Sequence, residues 1–344
     1  MAELTVAAGL ARGLIDVCVS RGANARALAQ RAGIALEDLD DQDKRIAFKN
    51  YVALMRAGKE LCDDPALGLH FGEMNDLAEV SVVGLLGNAA ATVAEGLAQL
   101  SRYGKLVIEF DGGPDRFKLA YERGGLWVVD NRQNPNDFLE LTESTFARMV
   151  CGMRRQGHLS IVKQIHVTHA RPAYRAEYDR IFQVPMTFGS DWNAMQIDES
   201  LLTARVQHQP RYVFGVLTER ADLLLKQLEN SKSTRGRVEG LLLPVLHTGD
   251  VSMDTIAAKL AMSRQTLFRK LKAEGATFEK VLDDLRHKMA LGYLRGKKVS
   301  VNETAYLVGF SDPTAFSRAF KRWTGTSPRT MRASKAEKAQ PGIP

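Results

Sequence analysis

The stretch GFSDPTAFSRAFKRWTGTSP, residues 309–328, sets a Gly-Phe pair before a Ser-Asp-Pro turn, then a short cationic helix closed by Trp323, Gly325 and Ser327-Pro328. It has a counterpart earlier in the chain. TAYLVGFSDPTAFSRAFK (304–321) aligns with IAAKLAMSRQTLFRKLK (256–272). In each, a first helix carries Ala at its second position, Ala305 and Ala257, 48 residues apart. A small residue, an apolar residue and Ser then make the turn: Gly309-Phe310-Ser311 and Ala261-Met262-Ser263. The second helix repeats apolar–x–basic–x–apolar–Lys, as Phe316, Arg318, Phe320, Lys321 and as Leu267, Arg269, Leu271, Lys272, in a register of 49. Two helices joined by so short a turn form a helix-turn-helix, and the unit occurs twice.

The turn chemistry agrees with that reading. Ser263 in one copy, and Ser311 or Asp312 in the other, can accept hydrogen bonds from the first free amides of the second helix. Pro313 suits the first helical turn, where a missing N–H costs nothing. Gly309 can take a left-handed conformation. At about 100° per residue, Leu267 and Leu271 share a buried face, as do Phe316 and Phe320, with Phe310 packing beside them. Gln265, Arg269 and Lys272, and in the second copy Thr314, Arg318 and Lys321, then face outward. Arg can donate twice to guanine and Gln can pair with adenine, so Gln265, Arg269, Thr314 and Arg318 are candidate base readers. Lys272 and Lys321 are placed to meet phosphate, as are Lys297 and Lys298 after Gly296. A longer helix between the copies, from Phe278 to Leu294, carries the stripe Phe278, Val281, Leu282, Leu285 and Met289, capped by Thr277. It would brace two recognition helices about 34 Å apart, one per successive major groove.

Charge is distributed to match. Residues 231–344 hold 21 Lys and Arg against 10 Asp and Glu, a net +11, so residues 1–230 carry −4 of the total +7. A basic last third on a slightly acidic remainder predicts a polyanion-binding module attached to a part with another task. The expected division is residues 1–228 for the part with another task, a linker at 229–238 on the polar ENSKSTRGR, a DNA-binding domain at 239–334 and a disordered tail at 335–344.

The first part reads as mixed α+β. Apolar residues at helical spacing predict helices over 4–20, Ala25–Ala32 (ended by Gly33), Arg45–Leu61, Val80–Ala91, Val93–Tyr103, Asp137–Arg155, Tyr174–Phe182 and Arg211–Leu228. Short strands are expected at Leu106–Phe110, Phe117–Tyr121, Trp127–Asp130, Ile161–His169, Thr187–Phe188 and Ala194–Ile197, with turns at DGGPD and ERGG. The last of those helices bears Val213, Leu217, Leu224 and Leu228 on one stripe, to face the domain core or a second subunit.

Several classes fall away. No apolar run nears the roughly 20 residues that span a bilayer, and Glu3 stands where a signal peptide would be basic; the expected place is the cytoplasm, with the nucleoid when DNA is bound. Cys18, Cys62 and Cys151 form no CxxC pair, which argues against a metal site or disulfide scaffold, and no cofactor is expected. His166 and His169 in HVTH fall on opposite faces of a strand and read as ordinary polar positions. Gly84 and Gly87 lack the third glycine of a dinucleotide loop. No GxSxG, HExxH or P-loop pattern occurs, so no enzyme is expected.

The doubled unit, with Gly309-Phe310, Phe316-Ser317-Arg318, Phe320-Lys321, Gly325, Ser327-Pro328 and Arg332, resembles the DNA-binding domain of the AraC/XylS transcription regulators. Met331 stands where the family usually has Tyr, and Ala261 where Gly is often found; both positions concern packing. GLLGNAAATVAEGLAQLSRYGKLV (84–107) and DFLELTESTFARMV (137–150) resemble the family's arabinose-binding-type sensor, a label that does not make arabinose the effector. The resemblance implies a ligand-gated bacterial activator with double-stranded DNA and a small-molecule effector as partners, a homodimer, and a contact with RNA polymerase. The alternative is a ligand-independent DNA-binding regulator whose first domain is only a dimerisation scaffold.

Overall fold

The computed structural model describes residues 3–111, 113, 115–158, 161–206, 211–249, 251–296 and 299–333. Its contacts divide the chain into two units, Met1–Lys226 and Gln227–Pro344.

The first unit opens on a strand, not a helix. β1 (Thr5–Ala7) pairs antiparallel with β2 (Arg45–Ala47), so α1 (Ala8–Ser20) and α3 (Phe48–Leu61) begin later than helical periodicity predicts. The cause is long-range. Arg45 donates to the Thr5 carbonyl at 2.9 Å, to Thr5 Oγ1 at 3.0 Å and to the Leu106 carbonyl, while Glu109 accepts from the Thr5 amide at 2.9 Å. A strand of three residues is too short to show a period of its own. Between them, α2 (Ala25–Ala32) is capped by Asn24 and stopped by Gly33 at φ 64°.

α4 (Leu67–Met74) was not expected, because LGLHFGEM carries two glycines that lower helix propensity. The expected helix over Val80–Ala91 is two short ones, α5 (Leu77–Val80) and α6 (Val82–Ala89), broken at extended Ser81, whose hydroxyl accepts from the Val83 amide. α7 (Val93–Val107) runs through Leu106-Val107, where a strand was predicted, and only Ile108 makes a bridge, to Val6.

Five strands follow: β3 (Phe117–Glu122), β4 (Gly125–Asp130), β5 (Val162–His166), β6 (Met186–Thr187) and β7 (Asn193–Ile197), in the order β3-β4-β7-β5-β6. Only β5 and β6 run parallel. Arg123 and Gly124, at φ 52° and 74°, make the tight hairpin between β3 and β4. A 3-10 turn at Pro135–Phe138 precedes α8 (Glu140–Arg155); α9 (Arg175–Phe182) and α10 (Ser200–Thr203) complete the layer. Phe146, Ala147 and Val150 of α8 pack on Val128, Ile165, Met195 and Ile197 of the sheet. The glycines of α4 permit its approach to α8: a Cβ on Gly72 would lie 2.3 Å from the Ser144 carbonyl oxygen.

α11 (Arg211–Lys232) extends past its expected end. Its stripe is also rotated: Ala221 and Leu228 are buried and Leu217 and Leu224 half-buried, but Val213 is exposed. The predicted linker at 229–238 is helical apart from Ser233, which caps α12 (Thr234–Leu242). Its polar residues have specific partners rather than water alone. Glu274 accepts from the Thr234 and Arg235 amides at 2.7 and 2.9 Å, and Arg235 pairs with Glu239 and Asp284, each at 2.9 Å. Against the cost of burial, those amides hold the Glu274 carboxyl below its usual range. The second unit then runs through a 3-10 turn (Leu243–Thr248), α13 (Met253–Lys259), α14 (Arg264–Ala273), α15 (Phe278–Gly296), α16 (Val301–Leu307), α17 (Pro313–Thr324) and α18 (Pro328–Ala333). α15 supplies Phe278, Val281 and Leu285 to one core and Ala290 and Leu294 to the other. It thus braces both helix pairs. The expected tail at 335–344 lies outside the described residues.

Candidate nucleic-acid interface and sensor cavity

The two turns have the same hydrogen bonds. After α13, the Met262 amide donates to the Ala257 carbonyl at 2.9 Å; after α16, the Phe310 amide donates to the Ala305 carbonyl at 2.9 Å. Each turn passes through a left-handed residue, Ala261 at φ 53° and Gly309 at φ 79°. Ser263 caps α14 by accepting from the Thr266 amide at 3.1 Å. At the second turn the cap is Asp312, not Ser311: its carboxylate accepts from the Thr314 and Ala315 amides at 3.0 and 2.9 Å, which hold its carboxyl below the ordinary range. Pro313 occupies the first helical position, and Gly325, at φ 76°, ends α17.

Leu267 and Leu271 of α14 are buried with Ile256 and Leu285; Phe316 and Phe320 of α17 are buried with Ala305 and Leu294, and half-buried Phe310 packs against them. Gln265, Arg269 and Lys272 are exposed on α14, as are Thr314, Arg318 and Lys321 on α17. Several other basic residues of this unit are occupied: Arg264 with Asp254, Arg235 with Asp284, and Arg322 with Asp283, each at 2.9 Å. Arg269, Lys272, Arg318 and Lys321 make no ion pair among the described residues. Four unpaired cations therefore sit at corresponding positions of two helices, each anchored by a dry face. Lys297 and Lys298 lie outside the described residues.

Sequence reasoning missed two residues here. Phe268, 50% exposed, lies on α14 beside Arg269 and offers an apolar contact of the kind a thymine methyl accepts. Arg286 of α15 donates to the Gly309 carbonyl at 3.1 Å and lies 4.8 Å from the Phe310 ring centroid, fixing the second turn to the bracing helix. A basic residue on the polar side of an amphipathic helix gives no sign of such a contact.

The first unit holds a half-open cavity of about 410 Å³, a volume suited to a small ligand. Val128, Met195 and Ile197 of the sheet form one wall; Leu97, Leu100, Met149 and Met153 of α7 and α8 form others. Gly87 and Gly96 open the helical walls by presenting no side chain, and Arg148, Arg155, Asp76, Asn88 and Gln156 supply the polar lining. Gly87 and Gly96 thus make room in a cavity rather than cradle a nucleotide, whereas a Cβ on Gly84 would lie 2.2 Å from the Leu77 backbone, so that glycine lets α5 and α6 pack closely. Nothing local links those glycines to methionines more than fifty residues away, so the site was not legible beforehand.

The two histidines of HVTH have separate surroundings. His166 ends β5 and lies 4.9 Å, centroid to centroid, from the Trp127 ring. His169 is buried, 3.0 Å from the Tyr178 hydroxyl, which donates to Glu143 at 2.6 Å; Tyr174 donates to the same carboxylate at 2.8 Å. Burial outweighs those two hydrogen bonds and pushes the Glu143 carboxyl up to about 7. No group of three or more His, Cys, Asp or Glu among the described residues could hold a metal ion, and no helix among them is long and apolar enough to cross a membrane.

A mixed α/β domain with a ligand-sized cavity and a helical domain with two helix-turn-helix units define a DNA-binding transcription regulator. Residues 22–206 match the model of the arabinose-binding domain of AraC transcription regulators, and residues 256–334 match a helix-turn-helix domain. The chain belongs to the AraC family of transcription regulators. It is 26% identical over 343 residues to the ornithine utilization regulator of Pseudomonas aeruginosa, across 96% of this chain and 97% of that one. It is 36% identical over 141 residues to the transcriptional activator RhaS of Escherichia coli, across 40% of this chain and 49% of RhaS. The crystal structure of the P. aeruginosa regulator CdpR aligns over 77% of this chain and 85% of CdpR at 25% identity, with a TM-score of 0.36.

Proposed function

We propose that this chain is a ligand-gated transcription activator that reads two successive major grooves, one with each recognition helix. The observation that carries the reading is the matched set Arg269, Lys272, Arg318 and Lys321, exposed and unpaired on helices whose opposite faces are buried. Arg269 and Arg318 donate to guanine edges, Gln265 pairs with adenine, and Thr314 meets a base edge in the second groove. Lys272 and Lys321, with Lys297 and Lys298, neutralise phosphates. The effector occupies the cavity of the first unit. A small metabolite there agrees with the name of the ornithine utilization regulator, and activation with that of RhaS. The chain acts as a homodimer through α11, where Tyr212, Val216 and Leu223 expose 82%, 49% and 58% of their surface along one side. It works where bacterial DNA lies, in the cytoplasm, and recruits RNA polymerase from the bound site.

The test is to select a DNA site from a random pool with the intact protein, then measure affinity and in vitro transcription from that site with and without a metabolite that raises the protein's melting temperature. Gating predicts that the metabolite changes both. Equal affinity and transcription in its presence and absence would leave the first unit a dimerisation scaffold.

A further inference from the structure

We propose that the cavity takes an effector with an apolar body and a carboxylate head, and that Arg148 is the counter-ion for that head. The inference rests on the cavity being the sensor site and specifies its ligand chemistry.

Arg148 of α8 is one of the residues that line the cavity, and its guanidinium lies 5.2 Å from the Phe71 ring centroid. Its Nε and Nη2 are sealed from solvent and have no hydrogen-bond partner, and it makes no ion pair among the described residues. Other buried arginines of the unit are satisfied. Arg116 and Arg132 share Asp130 at 3.1 and 3.0 Å, and Arg154 donates to the Ile181 and Phe182 carbonyls. Arg175 leaves one nitrogen open but uses another on Asp179, as Arg286 of the second unit does on the Gly309 carbonyl. Arg148 is thus the exception, and it sits at the cavity.

A guanidinium whose buried N–H groups lack acceptors is unfavourable, and a bound anion removes that penalty. Burial lowers the Arg148 pKa to about 10, so it remains charged at neutral pH. Arg155 adds a second cation to the lining. Asp76, the one acidic residue there, is committed to capping the Ala78 amide at 2.9 Å and forms no ion pair with Arg148. The lining therefore repels a cationic ligand. A planar carboxylate can accept two parallel N–H groups from one guanidinium. A bare sugar would turn most of its hydroxyls toward Leu97, Leu100, Val128, Met153 and Met195, which offer no partner.

The probes are octanoate and cyclohexylacetate, each compared with its primary amide, and octylamine. Binding to the full chain is measured by calorimetry and by thermal shift. Both carboxylates should raise the melting temperature, while the amides and the amine at equal concentration should not. Arg148→Met should raise the melting temperature of the ligand-free protein, by deleting an unpaired charge, and weaken carboxylate binding at least about thirtyfold. Gly87→Leu, whose side chain would enter open space at the cavity wall, should abolish the shift with Arg148 intact. Amides binding as tightly as carboxylates, no saturable carboxylate binding, or undiminished binding to Arg148→Met would each overturn the proposal. Failure of gating looks different. Carboxylates would bind through Arg148 yet leave DNA affinity unchanged, whereas a neutral metabolite that altered DNA affinity from the cavity would keep gating and remove the carboxylate.

Discussion

Ala261 and Gly309 occupy the same left-handed position in the two turns, and exchanging their chemistry should have opposite effects. In Gly309→Ala the new Cβ would stand 2.2 Å from the Leu246 carbonyl oxygen and 3.4 Å from Arg286 Nη2. The first contact is with backbone, so the turn or the Leu243–Thr248 segment must move. Relieving such overpacking costs about 1–3 kcal/mol, and holding a Cβ at positive φ adds roughly 1–2 kcal/mol. The total is about 2–5 kcal/mol, centred on the second helix pair. Ala261 already bears the left-handed cost on an exposed turn. Ala261→Gly recovers roughly 1–2 kcal/mol of that strain and gives back about 0.5–1 kcal/mol to the freer unfolded chain, a net gain of up to about 1.5 kcal/mol. Hydrogen exchange of the amides of α13–α14 and of α16–α17, read by mass spectrometry on the intact chain, separates the two units. Faster exchange in α16–α17 of Gly309→Ala, with unchanged or slower exchange in α13–α14 of Ala261→Gly, is the expected pair of results. Equal destabilisation by both substitutions would refute the argument from turn geometry.

Glu143 should make the first unit sensitive to pH near neutrality. Its carboxyl is raised from the ordinary 4.5 to about 7, chiefly by burial. The protonated folded form is therefore favoured fully below pH 4.5, and its contribution is lost as pH rises through 7, about 3 kcal/mol in all. Melting curves of wild type and Glu143→Gln should converge at low pH and diverge, in favour of the variant, between pH 5 and 8; parallel profiles would remove this role. Lys272→Ala and Lys321→Ala should each lower the slope of log affinity against log salt by roughly 0.9, measured on a selected site. An unchanged slope would take the lysine from the phosphate backbone.

What the sequence disclosed and what it hid follow from the range of the interactions. The helix-turn-helix units were legible because their determinants are local. Apolar spacing within one helix set the faces of Leu267, Leu271, Phe316 and Phe320, and a cap or a left-handed residue set each turn. Periodicity failed where a distant partner decides the conformation. Arg45 draws Thr5–Ala7 into a strand from 40 residues away, and Glu274 ties down the Thr234 end of α12 across the same span. ENSKSTRGR looked like a linker because polarity marks residues that water can satisfy, and it does not reveal that Asp284 and Glu274 satisfy them instead. The cavity of the first unit was hidden for a related reason. A space lined from α6, α7, α8 and two strands exists only after folding, and the unpaired state of Arg148 is a property of what surrounds it.

The central claim is that one chain reads two grooves with two duplicated helices. Its most direct test is a hydroxyl-radical footprint of the intact protein on a site selected from random DNA, repeated with Arg269→Ala and Arg318→Ala. The account predicts two protected segments about 10 base pairs apart on one face of the duplex. Each substitution should fade a different segment and cost about 1–3 kcal/mol in specific affinity. A single protected segment, or the same segment fading in both variants, would contradict it.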